Sequence, residues 1–348
     1  MFLSLLLENK IWRICNMRRT FKPAILLSLV ALLAGCNGRA AVQKPSFYGY
    51  KNKVEFAEFS SKLDELYAGS PLFNYKEEDE VPSFKQVGTT SIHIEQSLSR
   101  KGDGKDMEFN GLTSDVSNSV HGEYDSVSKV FSYSGTQKSV SNSTYYNKER
   151  VVEAVSLKES EFLLAENDEE VVIYNENTLL ATAIEGSTKG MLHGVASIIA
   201  IASLFIDTRF PTVSRWESLD DEIKARYTFY SDKTVLTASY QYSVNYQIKN
   251  DDTELVSEKI ATYTSRLLQI SISETEIKYT DYIRNISYSE SYTYAGTYNI
   301  IDIDDYSEIK ATESTITFDD KVNVELPNIT NYKKGNEVLS SLFFTSLS

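Results

Sequence analysis

Residues 235–249 read VLTASYQYSVNYQIK. Leu236, Ala238, Tyr240, Tyr242, Val244, Tyr246 and Ile248 hold the even positions, and Thr, Ser, Gln, Ser, Asn and Gln stand between them. A period of two is the signature of a strand with one apolar and one wet face. The spacing predicts that the even side chains face an interior and the odd ones face water. The same alternation returns at Leu268, Ile270 and Ile272, at Tyr288, Tyr292 and Tyr294, and at Val322, Val324 and Leu326 before Pro327.

No proline interrupts residues 212–326 or residues 83–210. In the earlier stretch, short alternating runs surround Ile92 and Ile94, Met107 and Phe109, Val127 to Tyr133, Val151 to Leu157 and Val171 to Ile184. Gly102-Asp103-Gly104, Gly135, Asn167-Asp168 and Asn250-Asp251-Asp252 are the predicted turns between strands. Long half-buried strands joined by turns make an antiparallel meander.

Helical periodicity appears in three places. Phe56, Phe59, Leu63, Leu66 and Tyr67 form one apolar face over residues 52–68, with Asn52 and Glu55 as a capping box and Gly69 and Pro71 as the stop. Met191 to Ile206 is apolar almost all round and carries no formal charge with His193 neutral. At ~1.5 Å per residue it falls short of a bilayer, so it is read as a helix buried on every side. Ser214 and Glu217 form another capping-box pattern, opening a short helix through Ile223. The expected fold is α+β: a strongly curved antiparallel sheet, a half-barrel, with helices packed on its concave face.

The chain has 348 residues, 35 basic and 49 acidic, and a formal charge of −14. That balance argues against general nucleic-acid binding. Two cysteines exclude a disulfide scaffold and a multi-cysteine zinc site.

The N-terminus reads as an export signal. Arg18, Arg19 and Lys22 form a basic segment, Ala24 to Ala34 an apolar one, and Leu33-Ala34-Gly35-Cys36 resembles a bacterial lipobox. The resemblance implies diacylation of Cys36, palmitate among the chains, and removal of residues 1–35. Met17 is the expected true start, because the apolar run Met1 to Leu7 is one that such a signal does not need. Cleavage removes five basic residues and one acidic, leaving 30 against 48 and a charge of −18. The expected organisation is a signal over 1–35, a lipidated tether over 36–51, one sheet domain over 52–330 with a helical insertion at 187–224, and a tail over 331–348.

A lipidated start, a leading amphipathic helix, a long meander with inserted apolar helices, and the closing run Val322-Asn323-Val324-Glu325-Leu326-Pro327 together are similar to the LolA/LppX-type bacterial lipoproteins. The resemblance implies a half-barrel plugged by helices and, for some members, transport of lipoproteins or lipids across the cell envelope. It maps no binding residue onto this chain.

Recognised catalytic motifs are missing: no G-x-S-x-G, Walker loop, H-E-x-x-H or C-x-x-C is present. His93 lies in an alternating run and points outward, His121 sits in a polar loop-like segment, and His193 is in the apolar helix; their spacing shows no metal-ligand motif. Asp302, Asp304 and Asp305 lack the glycine and distal glutamate of a calcium loop and read as a solvated strand edge. Trp216 reads as a packing residue.

Three classes of function follow. The first is a membrane-anchored extracytoplasmic lipoprotein carrying an apolar ligand between sheet and helices, with Met191, Val195, Ile198, Ala202, Phe205, Tyr240 and Tyr242 as cavity walls. The second is a structural or surface-interaction lipoprotein with a dry core. A hydrolase ranks last, for want of a catalytic motif. The expected partners are a membrane, through Cys36, and an apolar ligand; no cofactor, metal or nucleic acid is implied.

Overall fold

The computed structural model describes residues 42–49, 51–70, 72, 81–102, 105–145, 150–167, 170–185, 213–249, 256–294, 299–326 and 328–335. The chain divides into two units, 1–41 and 42–348, and all described residues belong to the second. Its strands are β1 (Lys53–Val54), β2 (Phe84–Gly102), β3 (Lys105–Asp125), β4 (Val130–Tyr145), β5 (Arg150–Asn167), β6 (Glu170–Asn175), β7 (Leu180–Glu185), β8 (Tyr227–Asp232), β9 (Val235–Lys249), β10 (Val256–Ile272), β11 (Glu276–Tyr294), β12 (Asn299–Phe318) and β13 (Lys333–Lys334). The helices are α1 (Phe56–Gly69), α2 (Val213–Ser218) and α3 (Asp221–Lys224).

All thirteen strands join one sheet in the order β1-β8-β9-β10-β11-β12-β2-β3-β4-β5-β6-β7-β13. Every pairing is antiparallel except β13 with β7. The ladder begins at β1 and ends at β13 without closing. Eight strands, from β9 to β5 in sheet order, are 15–21 residues long, whereas β6, β7 and β8 have six residues each. The long strands therefore have a base, flanked by short strands, and an outer half that extends past them.

The apolar core occupies one face of the base. Phe84, Phe131, Phe162, Leu164, Ile173, Leu236, Ile270, Ile277 and Ile316 are buried there in one cluster. Gly88 and Gly122 make room for it. A Cβ on Gly88 would stand 2.8 Å from Val120 Cγ2, and one on Gly122 would stand 3.1 Å from the Phe131 ring. A smaller cluster covers the opposite face, where Val322 and Val324 lie on Val130, Leu163 and Ala165.

The antiparallel runs β2–β7 and β8–β12 are as the alternation predicts, joined through β12 and β2, but the half-barrel with a helical lining is not. The fold is nearly all β, and α2 and α3 have only six and four residues. α1 packs at one end of the sheet, with the Phe59 and Phe56 rings 4.9 and 5.4 Å from Phe229. No helix among the described residues lies on a concave face. The physical reason is in the registers: on the outer half, Thr262, Thr264, Asn285, Ser287, Glu308 and Asp304 of β10, β11 and β12 stand beside the apolar residues of β9 and β2, and so mixed a face needs no continuous apolar cover.

Local expectations change too. α1 starts at Phe56, after Glu55, with no side-chain cap; Asn52 instead lends its carbonyl to Ser231 N beside β1. Asp220 caps α3, accepting from Ile223 N at 2.8 Å, and Ser214 falls inside α2 rather than before it. Gly135 lies within β4, and His121 within β3. Residues 322–326 are a strap without strand pairing, so the closing run is not a strand. β12, which holds Asp302, Asp304 and Asp305, is interior to the sheet. Trp216 does pack as expected, stacked on Phe56 at 4.4 Å.

Candidate functional site: the outer half of the sheet

Strand registers fix which residues share a face. On the core face, one row crosses the sheet through Ala238, Leu268, Asp281, Thr312, Thr90, Asn118, Gln137 and Lys158. At this row the interior changes from apolar to polar. Arg266 reaches diagonally to Asp281 with two bonds, Nε to Oδ1 at 2.8 Å and Nη2 to Oδ2 at 2.7 Å. Thr90 and Thr312 share a hydroxyl contact of 3.2 Å. Asn118 is buried, and its Oδ1 has no hydrogen-bond partner among the described residues.

Beyond this row polar pairs cross the core face among apolar residues such as Ile92, Ile94 and Ile283. Asn285 Nδ2 donates to Glu308 at 2.8 Å, Gln96 Nε2 to Asp304 at 3.4 Å, and Arg100 forks Asp302 at 2.6 and 3.1 Å. The fork shows that Asp302 serves a cross-strand ion pair. No group of His, Cys, Asp and Glu suited to a metal occurs among the described residues.

The opposite face of the outer half holds two further clusters. Lys259 Nζ donates to Tyr292 Oη at 2.6 Å and to Glu290 at 3.2 Å, while Tyr292 and Tyr288 donate to Glu290 at 2.6 and 3.2 Å. The Tyr292 hydroxyl foremost, then Lys259 and Tyr288, hold the Glu290 carboxyl below its ordinary value despite some desolvation. His93 lies between two carboxylates, Nδ1 2.7 Å from Asp115 and Nε2 3.2 Å from Glu95. Burial pushes its pKa down, but the bonds to Asp115 and Glu95 outweigh that and raise it. His93 is therefore tied across to β3 on a half-covered face. His121 stands 3.6 Å from Glu123 and is largely exposed.

A groove of about 560 Å³ opens where β8 stops and β9 continues, lined among others by Glu222, Arg226, Tyr230, Gln241, Tyr242 and Val244. Arg226 bonds Glu222 at 2.9 Å, and its guanidinium lies 4.3 Å from the Tyr242 ring centre. Tyr240 packs on Tyr227 at 4.8 Å and bonds Arg226. Of the expected cavity walls, only Tyr240 and Tyr242 fall within the described residues, and the groove beside them is largely polar. Met191, Val195, Ile198, Ala202, Phe205 and His193 lie outside the described residues, as does Cys36.

Residues 42–49 of the expected tether lie against the sheet, with Lys44 Nζ 5.9 Å from the Tyr282 ring centre. Tyr48 accepts from and donates to the side-chain amide of Gln269, which also donates to Thr237 at 2.8 Å. Thr237, an odd position expected to face water, is fully buried beneath this contact. Sequence reasoning missed Arg266–Asp281, His93–Asp115 and the Lys259–Glu290–tyrosine group. Each is formed across strands, so only the register reveals it.

No protein-family model matches the sequence, and no curated protein matches it. Solved structures give slight likenesses. OccK7 (OpdD) of Pseudomonas aeruginosa is 5% identical with a TM-score of 0.20, over 67% of this chain and 98% of that one. The outer membrane protease OmpT of Escherichia coli is 8% identical with a TM-score of 0.18, over 68% and 97%. The toluene transporter TodX of Pseudomonas putida is 8% identical with a TM-score of 0.15, over 78% and 95%. Scores of this size carry neither a topology nor a function to this chain. Among the described residues, no helix is long and apolar enough to cross a membrane.

Proposed function

We propose that the chain is an extracytoplasmic protein held to a membrane by acyl chains on Cys36, and that it acts by binding, as a surface-interaction lipoprotein. The anchor rests on the sequence pattern at Leu33-Ala34-Gly35-Cys36. The binding role rests on one observation. The outer halves of eight strands present two faces that mix polar and apolar side chains and, among the described residues, two unpaired strand edges, a surface suited to recognition. The polar groove at Arg226 favours this reading over carriage of an apolar ligand.

The test has two arms. Palmitate labelling should mark the wild-type protein and vanish in Cys36→Ala, and protease added to intact cells should digest the wild type. Labelling that survives the substitution, or full protection from protease, overturns the location. In the second arm, a fluorescent fatty acid should show no saturable binding to the purified protein. Saturable binding would overturn the interaction reading in favour of the carrier.

A further inference from the structure

We propose that two copies of this chain pair through the free edge of β9, as antiparallel neighbours about a two-fold axis perpendicular to the sheet. The pairing names a partner for the interaction reading above and does not depend on the lipid anchor.

β8 pairs with β9 only over residues 235–240, and Gln241 N makes the last bond on that side, to Arg226 O at 2.9 Å. Beyond it, residues 242–249 have no strand on their outer side among the described residues. In an antiparallel strand the N–H and C=O of one residue point the same way, and successive residues alternate. Gln241 points outward, so Ser243, Asn245 and Gln247 do as well. Their inward-facing neighbours bond β10, where the Ser257 hydroxyl reaches Ile248 O at 3.1 Å.

The edge is self-complementary. A perpendicular two-fold keeps each face continuous, so opposed residues share a face. Centred on Asn245, it sets Tyr242 against Ile248 and Val244 against Tyr246 on one face, each twice. On the other it sets Asn245 against Asn245, Ser243 against Gln247, and Gln241 against Lys249. The first group are aromatic–aliphatic cross-strand pairs of the stabilising kind, and no like charges meet. The outward groups form about six ladder bonds. Tyr246 and Ile248, 44% and 43% exposed, gain cover.

The other edge that is free among the described residues, on β5, does not fit itself. Residues 152–159 are exposed there, but centring on Val155 sets Glu153 against Leu157 and Lys158 against Val152. Centring on Ser156 opposes Glu153 to Glu159. Such charges block edge pairing.

The experiment measures the mass of the purified full chain in detergent by light scattering at tens of micromolar. The wild type should be a dimer. Asn245→Pro removes one outward N–H and leaves the β9–β10 ladder whole, so it should be a monomer with unchanged circular dichroism. Should that variant misfold, Tyr246→Lys, which sets a charge against Val244 of the other copy, should weaken the dimer at least tenfold. Val155→Pro on β5 should dimerise like the wild type. Added salt should tighten the dimer, since both copies are acidic. A monomeric wild type, an open-ended polymer, a folded Asn245→Pro dimer, a folded Tyr246→Lys variant that pairs as the wild type does, a monomeric Val155→Pro, or weakening by salt each overturns the proposal. Palmitate labelling reads the anchor separately, so either reading can fail while the other stands.

Discussion

Arg266 and Asp281 meet diagonally across neighbouring strands with their side chains only 2% and 6% exposed, joined by two parallel hydrogen bonds. The pair stands at the row where the apolar core gives way to the polar outer sheet. Burying two charges is costly, and the fork with its low-dielectric attraction offsets that cost only while both partners are present. Arg266→Ala or Asp281→Asn should therefore destabilise the fold by about 3–5 kcal/mol. Replacing both by apolar residues of similar size should come close to neutral. Urea unfolding of the three variants checks this. Additive losses in the double variant would mean that the two charges act independently.

Leu236 and Tyr246 belong to the same alternation but not to the same environment. Leu236 is 1% exposed in the core, whereas Tyr246 is 44% exposed at the free edge. Leu236→Ala should cost about 2–5 kcal/mol through lost burial and the cavity left behind. Tyr246→Ser should stay within about 0.5 kcal/mol when measured on the monomer at low concentration. Equal losses would mean that the outer half is covered as the base is.

That contrast marks what the sequence could convey. Period two from Leu236 to Ile248 reports where side chains point, and the structure has them pointing so. It does not report what lies over them. Cover comes from distant residues: α1 over Phe229, Val322 and Val324 over Leu163, Tyr48 over Thr237. The half-barrel expectation fails for this reason: it rests on the order of elements along the chain, and that order does not say which part of the sheet a helix covers. The candidate site was hidden in the same way. His93 and Asp115, or Arg266 and Asp281, meet only once a register is chosen, and alternation alone does not choose one.

His93 should make stability depend on pH in mild acid. Its folded pKa is raised, because the bonds to Asp115 and Glu95 outweigh burial. A raised value contributes stability that is full below the unfolded pKa, ordinarily about 6.5, and is lost as pH rises through the folded value. His93→Asn should thus be less stable than wild type at pH 5, by about 0.5 kcal/mol given its partly open setting, and equal to it at pH 9. Thermal melts at the two pH values check this. A deficit that grows with pH would reverse the sign and remove the ion pairs from the explanation.

Asp125 works in the opposite direction and fastens the strap to the sheet. It ends β3, and the turn that follows carries Lys129 at φ 55°. Its Oδ1 accepts from Val127 N at 2.8 Å, and its Oδ2 accepts from the Ser128 hydroxyl at 2.9 Å and from Val324 N at 3.4 Å. The Ser128 hydroxyl also meets Val324 O at 3.1 Å. Burial raises the Asp125 pKa, but the bonds from Val127, Ser128 and Val324 outweigh it and hold the value below the ordinary one. A depressed carboxyl contributes stability above its unfolded pKa, about 3.9, and loses it as pH falls through the folded value. Asp125→Ala should cost about 1–3 kcal/mol at pH 7, because it leaves buried donors without their acceptor, and less at pH 2. It should also loosen the strap locally. Amide exchange at Val324 should then quicken more than exchange at Leu164, which the core holds from the other face. If both amides quicken equally, Asp125 stabilises only the hairpin, and Val322 and Val324 hold the strap by apolar contact alone.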